Sequence, residues 1–404
     1  MRDRMRARAG SGQFAAPLVF LGLMVRNREL RHCPVLHTRA RRLEPWGRPI
    51  LRDGRYSLFV YADATRAGAL LRMRRINHPL CCAIWLFVSL ALSLVTATHA
   101  SAQTDAYPSR PITILVPFAA GGSSDVVMRL VSKRVSESLN QPLVIENRPG
   151  GSGNVAAMAV KNAPRDGYLL MMGHTGSHAI NATLYTDLKF DPVKDFAPVA
   201  PLISFNNVLI VPENSRASSA KDLVALAKSK PDGLVYGSQG VGTGGHLLGV
   251  ILAKQTGTKL VHVPYRGVAP AVTDMVAGRL DMMFSSYLTA APHIESGKLH
   301  MLAIAGSTRH PIMPNVPTMA EAGFPGVQMD QWFGLFAPAG TPEPIIRKLN
   351  TVFVNALESD EVRSTLLPQG SIIIPGKPED LAAMVARDIV RLGEVVKESG
   401  AKPE

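Results

Sequence analysis

Ile112-Thr113-Ile114-Leu115-Val116-Pro117-Phe118-Ala119-Ala120-Gly121-Gly122-Ser123-Ser124-Asp125 joins a short β-branched run to a glycine turn. The run 112–118 reads as a buried strand. Beyond the turn, Val126, Val127, Leu130, Val131, Val135 and Leu139 recur at helical spacing. Strand, glycine turn and helix in succession open an α/β sheet of the kind in which ligands sit beyond the carboxyl ends of the strands. Free amides and the helix dipole at that turn favour an anion, by roughly 0.3 to 1 kcal/mol per charge at exposed sites. The local alternative is that Ser123 or Ser124 caps the helix and the glycines only turn the chain.

Working outward, the alternation repeats. Strand 142–148, helix 152–161 and strand 168–174 followed by a helix complete a first series. A second comprises helix 219–229, strand 234–240, helix 245–255, strand 259–265, helix 268–277 and strands 280–286 and 300–306. Such alternation predicts mostly parallel sheets flanked by helices. Two series predict two α/β lobes, lobe 1 from 103–206 plus 331–404 and lobe 2 from 207–330. Segments 196–213 and 327–340 lack the alternation and are placed where the chain crosses between lobes, and helices 342–358 and 378–399 are expected to pack on lobe 1. Met171, Met172, Met282 and Met283 lie in strands and read as core.

Of the net charge of +13, nearly all lies upstream of residue 103. Residues 1–72 hold fifteen arginines, no lysine and five acids, and Arg74 and Arg75 follow. The folded part is therefore close to neutral, which removes nucleic acid as a partner. Met73-Arg74-Arg75, the apolar run from Cys81 through Val95 and Ala100-Ser101-Ala102 have the layout of a cleaved export signal over 73–102. The run is shorter than the ~20 residues of a spanning helix. On this reading residues 1–72 are an upstream over-extension of the chain, and the mature chain is periplasmic with no membrane span. Cys33, Cys81 and Cys82 all precede residue 103, leaving the exported part without a thiolate metal site or disulfide.

A second strand-glycine-helix junction is Tyr236-Gly237-Ser238-Gln239-Gly240-Val241-Gly242-Thr243-Gly244-Gly245-His246. Gly240, Gly242 and Gly245 satisfy G-x-G-x-x-G, but the acid expected about 20 residues on is replaced by Pro264-Tyr265-Arg266. A nicotinamide enzyme with Arg266 on a 2′-phosphate is the competing reading. The strand end His262-Val263-Pro264-Tyr265-Arg266-Gly267 offers a guanidinium that can pair bidentately with a carboxylate, or a solvated loop arginine. G-x-S-x-G, G-x-x-x-x-G-K-[ST] and H-E-x-x-H are absent from the sequence. His174 and His178 stand four apart, with only Thr175, Gly176 and Ser177 between them, and read as loop histidines near a cleft, not as a metal pair.

These motifs in this order resemble the solute receptors of the tripartite tricarboxylate transporter family, also called Bug receptors. The resemblance rests on Tyr107-Pro108-Ser109-Arg110-Pro111-Ile112, Val116 through Asp125, Glu146-Asn147-Arg148-Pro149-Gly150-Gly151, Pro164-Arg165-Asp166-Gly167-Tyr168, Pro317 through Gly323, Trp332-Phe333-Gly334 and Ala337 through Pro342, as well as the two junctions above. It spans residues 105–400 or so. It implies a two-lobed periplasmic binding protein of type II-like fold that captures a small organic acid and hands it to transporter membrane subunits, without catalysis, cofactor or metal. Carried over residue by residue, the ligand contacts would be Phe118, Ala120, Gly121, Gly122, Ser123, Asp125, His174, Thr175 and Ser177 from lobe 1. Lobe 2 would add Ser238, Gly242, Thr243, His246, Tyr265, Arg266, Gly267 and Ser285. The run His174-Thr175-Gly176-Ser177-His178 departs from the family pattern, which has small or polar residues there, so a His174 that faces the cleft would select a second group on the ligand.

Overall fold

The computed structural model describes residues 107 to 403, so the expectations for 1–72 and 73–102 lie outside the described residues. Strand β1 (Ile112–Val116), helix α1 (Ser123–Leu139), β2 (Leu143–Asn147), α2 (Asn154–Lys161) and β3 (Leu169–His174) follow the alternation read from sequence. A π-turn at Gly176–Ile180 and α3 (Asn181–Leu184) lead into β4 (Phe196–Pro212). Then come α4 (Ala220–Ser229), β5 (Leu234–Ser238), α5 (Gly244–Thr256), β6 (Leu260–Pro264), α6 (Val268–Val276), β7 (Met282–Ser286), α7 (Tyr287–Glu295) and β8 (Leu299–Ile304). The described part ends with β9 (Asp330–Pro338), α8 (Glu343–Glu358), α9 (Asp360–Leu366), β10 (Ile372–Ile373) and α10 (Pro378–Ser399).

The strands form two sheets that share β4, one in the order β2-β1-β3-β9-β4-β10 and the other β8-β4-β7-β5-β6. β1 runs parallel to β2 and β3, and β5 parallel to β6 and β7. Every pairing made by β4 or β9 is antiparallel. The two-lobed α/β fold is as expected, with sheets that are mixed where the sequence predicted mostly parallel ones. Segments 196–213 and 327–340, read as crossings, are themselves the two central strands. They lack alternation because most of β4 and all of β9 after Asp330 are buried, so both faces select apolar residues. Register shifts in the β4–β9 ladder fall between Pro198 and Ala200 and between Pro201 and Ile203. A proline cannot donate to the ladder, which accounts for both irregularities.

Side chains alternate between the cores on the two faces of each sheet. Ile112, Ile114 and Val116 enter one core with Val127, Val131 and Leu349, while Leu115 enters the opposite core with Phe196, Trp332 and Phe336. In the second sheet Leu209 and Val211 face Tyr236 and Phe284, and Val208 and Ile210 face Val272 and Met283. Met171, Met172, Met282 and Met283 are all fully buried core residues.

Elements α7, α9 and β10 were not foreseen, and α10 packs differently from expectation. α7 was not foreseen because Pro292 stands inside it, and proline ordinarily breaks a helix interior. α10 reaches beyond the first lobe: Leu381 and Val385 pack with Trp332 and Phe336, but Leu392 and Val396 join the second lobe's core beside Leu247 and Leu248. The helix is pinned by Asp388, 1% exposed, whose carboxylate accepts the Trp332 Nε1–H at 2.8 Å and pairs with Arg387 and Arg391 at 2.9 and 3.2 Å. Burial alone would raise the Asp388 carboxyl, but the bonds from Arg387 and Trp332 and the charges of both arginines outweigh it and hold the group below the ordinary carboxylate range. A depressed folded-state pKa contributes stability above the unfolded value of about 3.9 and loses it as pH falls further. Asp388→Asn should therefore cost roughly 1 to 3 kcal/mol at pH 7, with the deficit shrinking below about pH 4. Urea denaturation at both pH values measures it, and an equal deficit at both would remove the charge from the explanation.

Candidate functional site

The loops that follow β1, β3, β5 and β6 meet between the lobes. The start of α1 comes from one side and the start of α5 from the other, and together they line a small inner chamber of ≈ 20 Å³. Gly122, Ser123 and Ser124 contribute from α1, Thr243 and Gly244 from α5, with His174, Gln239, Gln331 and the apolar Phe118, Phe205, Phe333 and Val268 completing the wall. The N-cap of α1 is Gly122 and makes no side-chain cap bond, so Ser123 and Ser124 belong to the first turn and the capping alternative falls away. An outer chamber of ≈ 340 Å³ opens on the other side of Phe118 and Gln239, lined also by Gly150, Ser152, Tyr185, Tyr265 and Arg266. Among the described residues no Asp, Glu or Lys lines either chamber, and Arg266 is the one guanidinium.

The lobes touch at this place. The Ala119 N–H donates to the Arg266 carbonyl at 2.8 Å, and the Ser152 hydroxyl donates to the Val241 carbonyl. Gly267 has φ +144, and a Cβ there would stand 3.1 Å from Ala119 N, so the first turn of α6 approaches the Phe118–Ala119 backbone as only glycine permits. Gly240 and Gly242, also at positive φ, lie against Ser152 Oγ and Asn181 respectively. The glycine spacing that satisfies a nucleotide fingerprint thus serves close contact across the cleft.

Of the residues expected in the site, Phe118, Gly122, Ser123, His174 and Thr243 line the inner chamber, and Tyr265 and Arg266 line the outer one. The others lie outside both linings, each for a visible reason. Ala120 and Gly121 are exposed on the rim. Asp125 turns back to accept the Gly121 N–H at 3.0 Å and pairs with Arg129. Burial raises its carboxyl, but hydrogen bonds from Arg129, Gly121 and Asn147 prevail and hold it low. Thr175 Oγ1 accepts the Trp332 N–H at 2.8 Å, and Ser177 Oγ meets His178 Nδ1 at 2.9 Å. Ser238 Oγ accepts the Gly240 N–H at 3.1 Å and contacts His262 Nε2 at 2.7 Å. His246 Nδ1 accepts the Gly242 N–H at 3.3 Å, and the Ser285 hydroxyl donates to the Ser286 carbonyl at 3.2 Å. Gln239, Gln331, Gly244, Val268, Phe205 and Phe333 were not foreseen. Gln331, Phe333 and Phe205 lie on the central strands β9 and β4, where sequence offers no period to mark them.

The two histidines are buried and not in a loop: His174 ends β3 and lines the inner chamber, and His178 lies in the π-turn. Close approach of Gly153 and Gly176 and a tilted contact with Phe118, centroids 4.8 Å apart, fix the His174 ring. His174 Nδ1 accepts the Gly176 N–H at 3.0 Å, which leaves the ring proton on Nε2. Burial lowers the His174 pKa to about 4, with the Ser152 backbone opposing, and lowers His178 to about 3 with help from His174. His178 stacks on Phe336 at 4.0 Å and edges Phe196 at 4.9 Å.

Two lobes on shared strands, with two helix N-termini closing on a chamber of neutral donors, define a solute-binding protein. The chain belongs to the tripartite tricarboxylate transporter family of receptors: the description "Tripartite tricarboxylate transporter family receptor" matches residues 127–401. It is 33% identical over 319 residues to the protein BugT of Bordetella pertussis, covering 78% of this chain and 98% of that one. Among solved structures it is similar to MatC (Rpa3494) from Rhodopseudomonas palustris with bound malate, at 36% identity and TM-score 0.69, covering 72% of this chain and 100% of that one. It is likewise similar to R. palustris Rpa4515 with adipate, at 36% identity and TM-score 0.71, covering 74% and 100%. The family is one of receptors, so the nicotinamide-enzyme reading is set aside.

A buried neutral histidine has a signed consequence. The His178 ring stays neutral in the fold down to about 3 but protonates near 6.5 when unfolded. Its contribution is full above about 6.5 and falls by about 1.4 kcal/mol per pH unit below it. His178→Phe, which keeps the aromatic packing, should gain on the wild type by up to that amount between pH 6.5 and 5.5 in urea denaturation; parallel pH curves would mean that the ring titrates alike in both states.

Proposed function

We propose that this chain is a periplasmic receptor that closes its lobes on a small carboxylate and delivers it to the membrane subunits of a tripartite transporter. The observation that carries the reading is the convergence of α1 and α5, one from each lobe, on one chamber. Peptide dipoles and free N–H groups there complement a negative charge. The malate and adipate held by the two solved relatives support a carboxylate guest. Export by the signal at 73–102 fits a receptor outside the inner membrane, and among the described residues no helix is long and apolar enough to cross one. Lobe 1 is 103–206 with 331–404 and lobe 2 is 207–330 in this reading, with α10 laid across both.

Closure favours the bound state only by differential affinity, since α5 completes the donor set when the lobes meet. A thermal-shift screen against di- and tricarboxylates, acidic amino acids and aromatic acids should find a ligand that adds about 2.7 kcal/mol of apparent stability at 100 times its Kd. No shift with any acid, in folded and ligand-free protein, would refute the anion site. Arg266 has no ion-pair partner among the described residues and lines the outer chamber, where it would take a distal carboxylate. Arg266→Ala should then weaken binding by roughly 1 to 3 kcal/mol, as calorimetric titration would read; unchanged affinity makes it a solvated loop residue.

A further inference from the structure

Gln239 and Gln331 come to the inner chamber from different parts of the chain. Gln239 stands just beyond β5 and Gln331 is the second residue of β9. They are 8% and 6% exposed. Both amides rest on the first turn of α5: a Cβ on Gly244 would overlap the Gln331 amide, and one on Gly245 would overlap Gln239 Oε1. The glycine pair is therefore a seat for two side-chain amides. Gln239 Oε1 and Gln331 Nε2 are buried and have no hydrogen-bond partner among the described residues. His174 Nε2, which carries the ring proton, is buried as well, but it faces the Ser152–Gly153 backbone.

A carboxylate is an acceptor only. At the inner chamber it would meet the amides of two helix N-termini and Gln331 Nε2, all donors. None of these answers Gln239 Oε1, the one buried side-chain acceptor without a partner among the residues of the inner wall. Left unmatched, it opposes burial of the ligand. A hydroxyl on the carbon beside the carboxylate supplies the missing donor while its carbon holds the acid against the helix ends. An ammonium would also donate, but it would be buried between two positive helix ends, with no Asp or Glu among the described residues of either wall. The inner chamber is small, at ≈ 20 Å³.

Resting on the carboxylate reading above, we infer that this receptor selects 2-hydroxycarboxylates, with Gln239 reading the hydroxyl and Gln331 the adjoining carboxylate. Three four-carbon diacids that differ only at carbon 2 test it: malate (both enantiomers), aspartate and succinate, titrated calorimetrically into the purified protein. The expected result is that one malate enantiomer binds at least about tenfold more tightly than succinate and aspartate, the scale of one unpaired buried acceptor. Gln239→Met should bring malate down to the level of succinate, whereas Gln331→Met should weaken both and keep their ratio. Equal affinity for malate and succinate, tighter binding of aspartate, or a malate preference that survives Gln239→Met would each overturn the inference while leaving a carboxylate receptor in place. Binding of none of the three, with no carboxylate hit in the thermal screen, would overturn the carboxylate reading itself.

Discussion

β4 commits its backbone to two sheets at once. Its first part, Phe196 to Asn206, is laddered to β9, and from Asn207 onward it pairs with β7 and β8. Each buried N–H and C=O along such a strand must find a partner, so the strand fixes where one sheet ends and the next begins. β1 and β3 in one sheet and β5 and β6 in the other then bring their carboxyl ends to the same junction. The convergence of α1 and α5 on one chamber follows from that shared strand together with the short turns 117–122 and 239–243 that start the two helices.

The chamber this creates has an unusual economy of charge. Among the described residues it gathers donors without lysine or arginine in its inner wall, and the one imidazole there is kept neutral by burial. Fixed dipoles on helix ends need little reorganisation when an anion arrives, and they add no formal positive charge that would hold it after the lobes part. The cost of the arrangement is borne locally: buried polar atoms at the wall lack partners among the described residues, and Asn207, wholly buried at the junction of the sheets, lacks them there on both amide atoms. Buried unpaired polar groups are tolerated where something other than stability is selected.

Much of this was legible in the sequence, and the division between what was and what was not has a physical basis. Parallel strands and their helices announce themselves by apolar period, and both glycine junctions were placed at strand ends where they are found. β4 and β9 carry no period because both faces are covered, and so Phe205, Gln331 and Phe333 could not be assigned to a site. Small polar residues at strand ends mislead in the other direction. Thr175, Ser177, Ser238 and Ser285 have the chemistry of ligand contacts, yet each spends its hydroxyl on a neighbouring backbone or ring atom. Closing a tight turn and binding a solute require the same donors, and composition cannot separate the two uses.

The two glycine pairs make the same point in a sharper form. Gly121-Gly122 and Gly244-Gly245 both stand where a strand gives way to a helix, and both suggest a backbone drawn close to an anion. At Gly122 the helix start faces the chamber directly, and the nearest backbone across the cleft is that of Val268 and Ala269 at 3.9 and 4.0 Å from where a Cβ would stand. At Gly244 and Gly245 the space a Cβ would occupy is filled by two glutamine amides. One pair lets the lobes and the ligand approach a helix end, whereas the other lets side chains lie over it and turn an unselective donor site into one that can distinguish what stands beside the carboxylate. That difference depends on residues 239 and 331, neither of which belongs to the helix they rest upon.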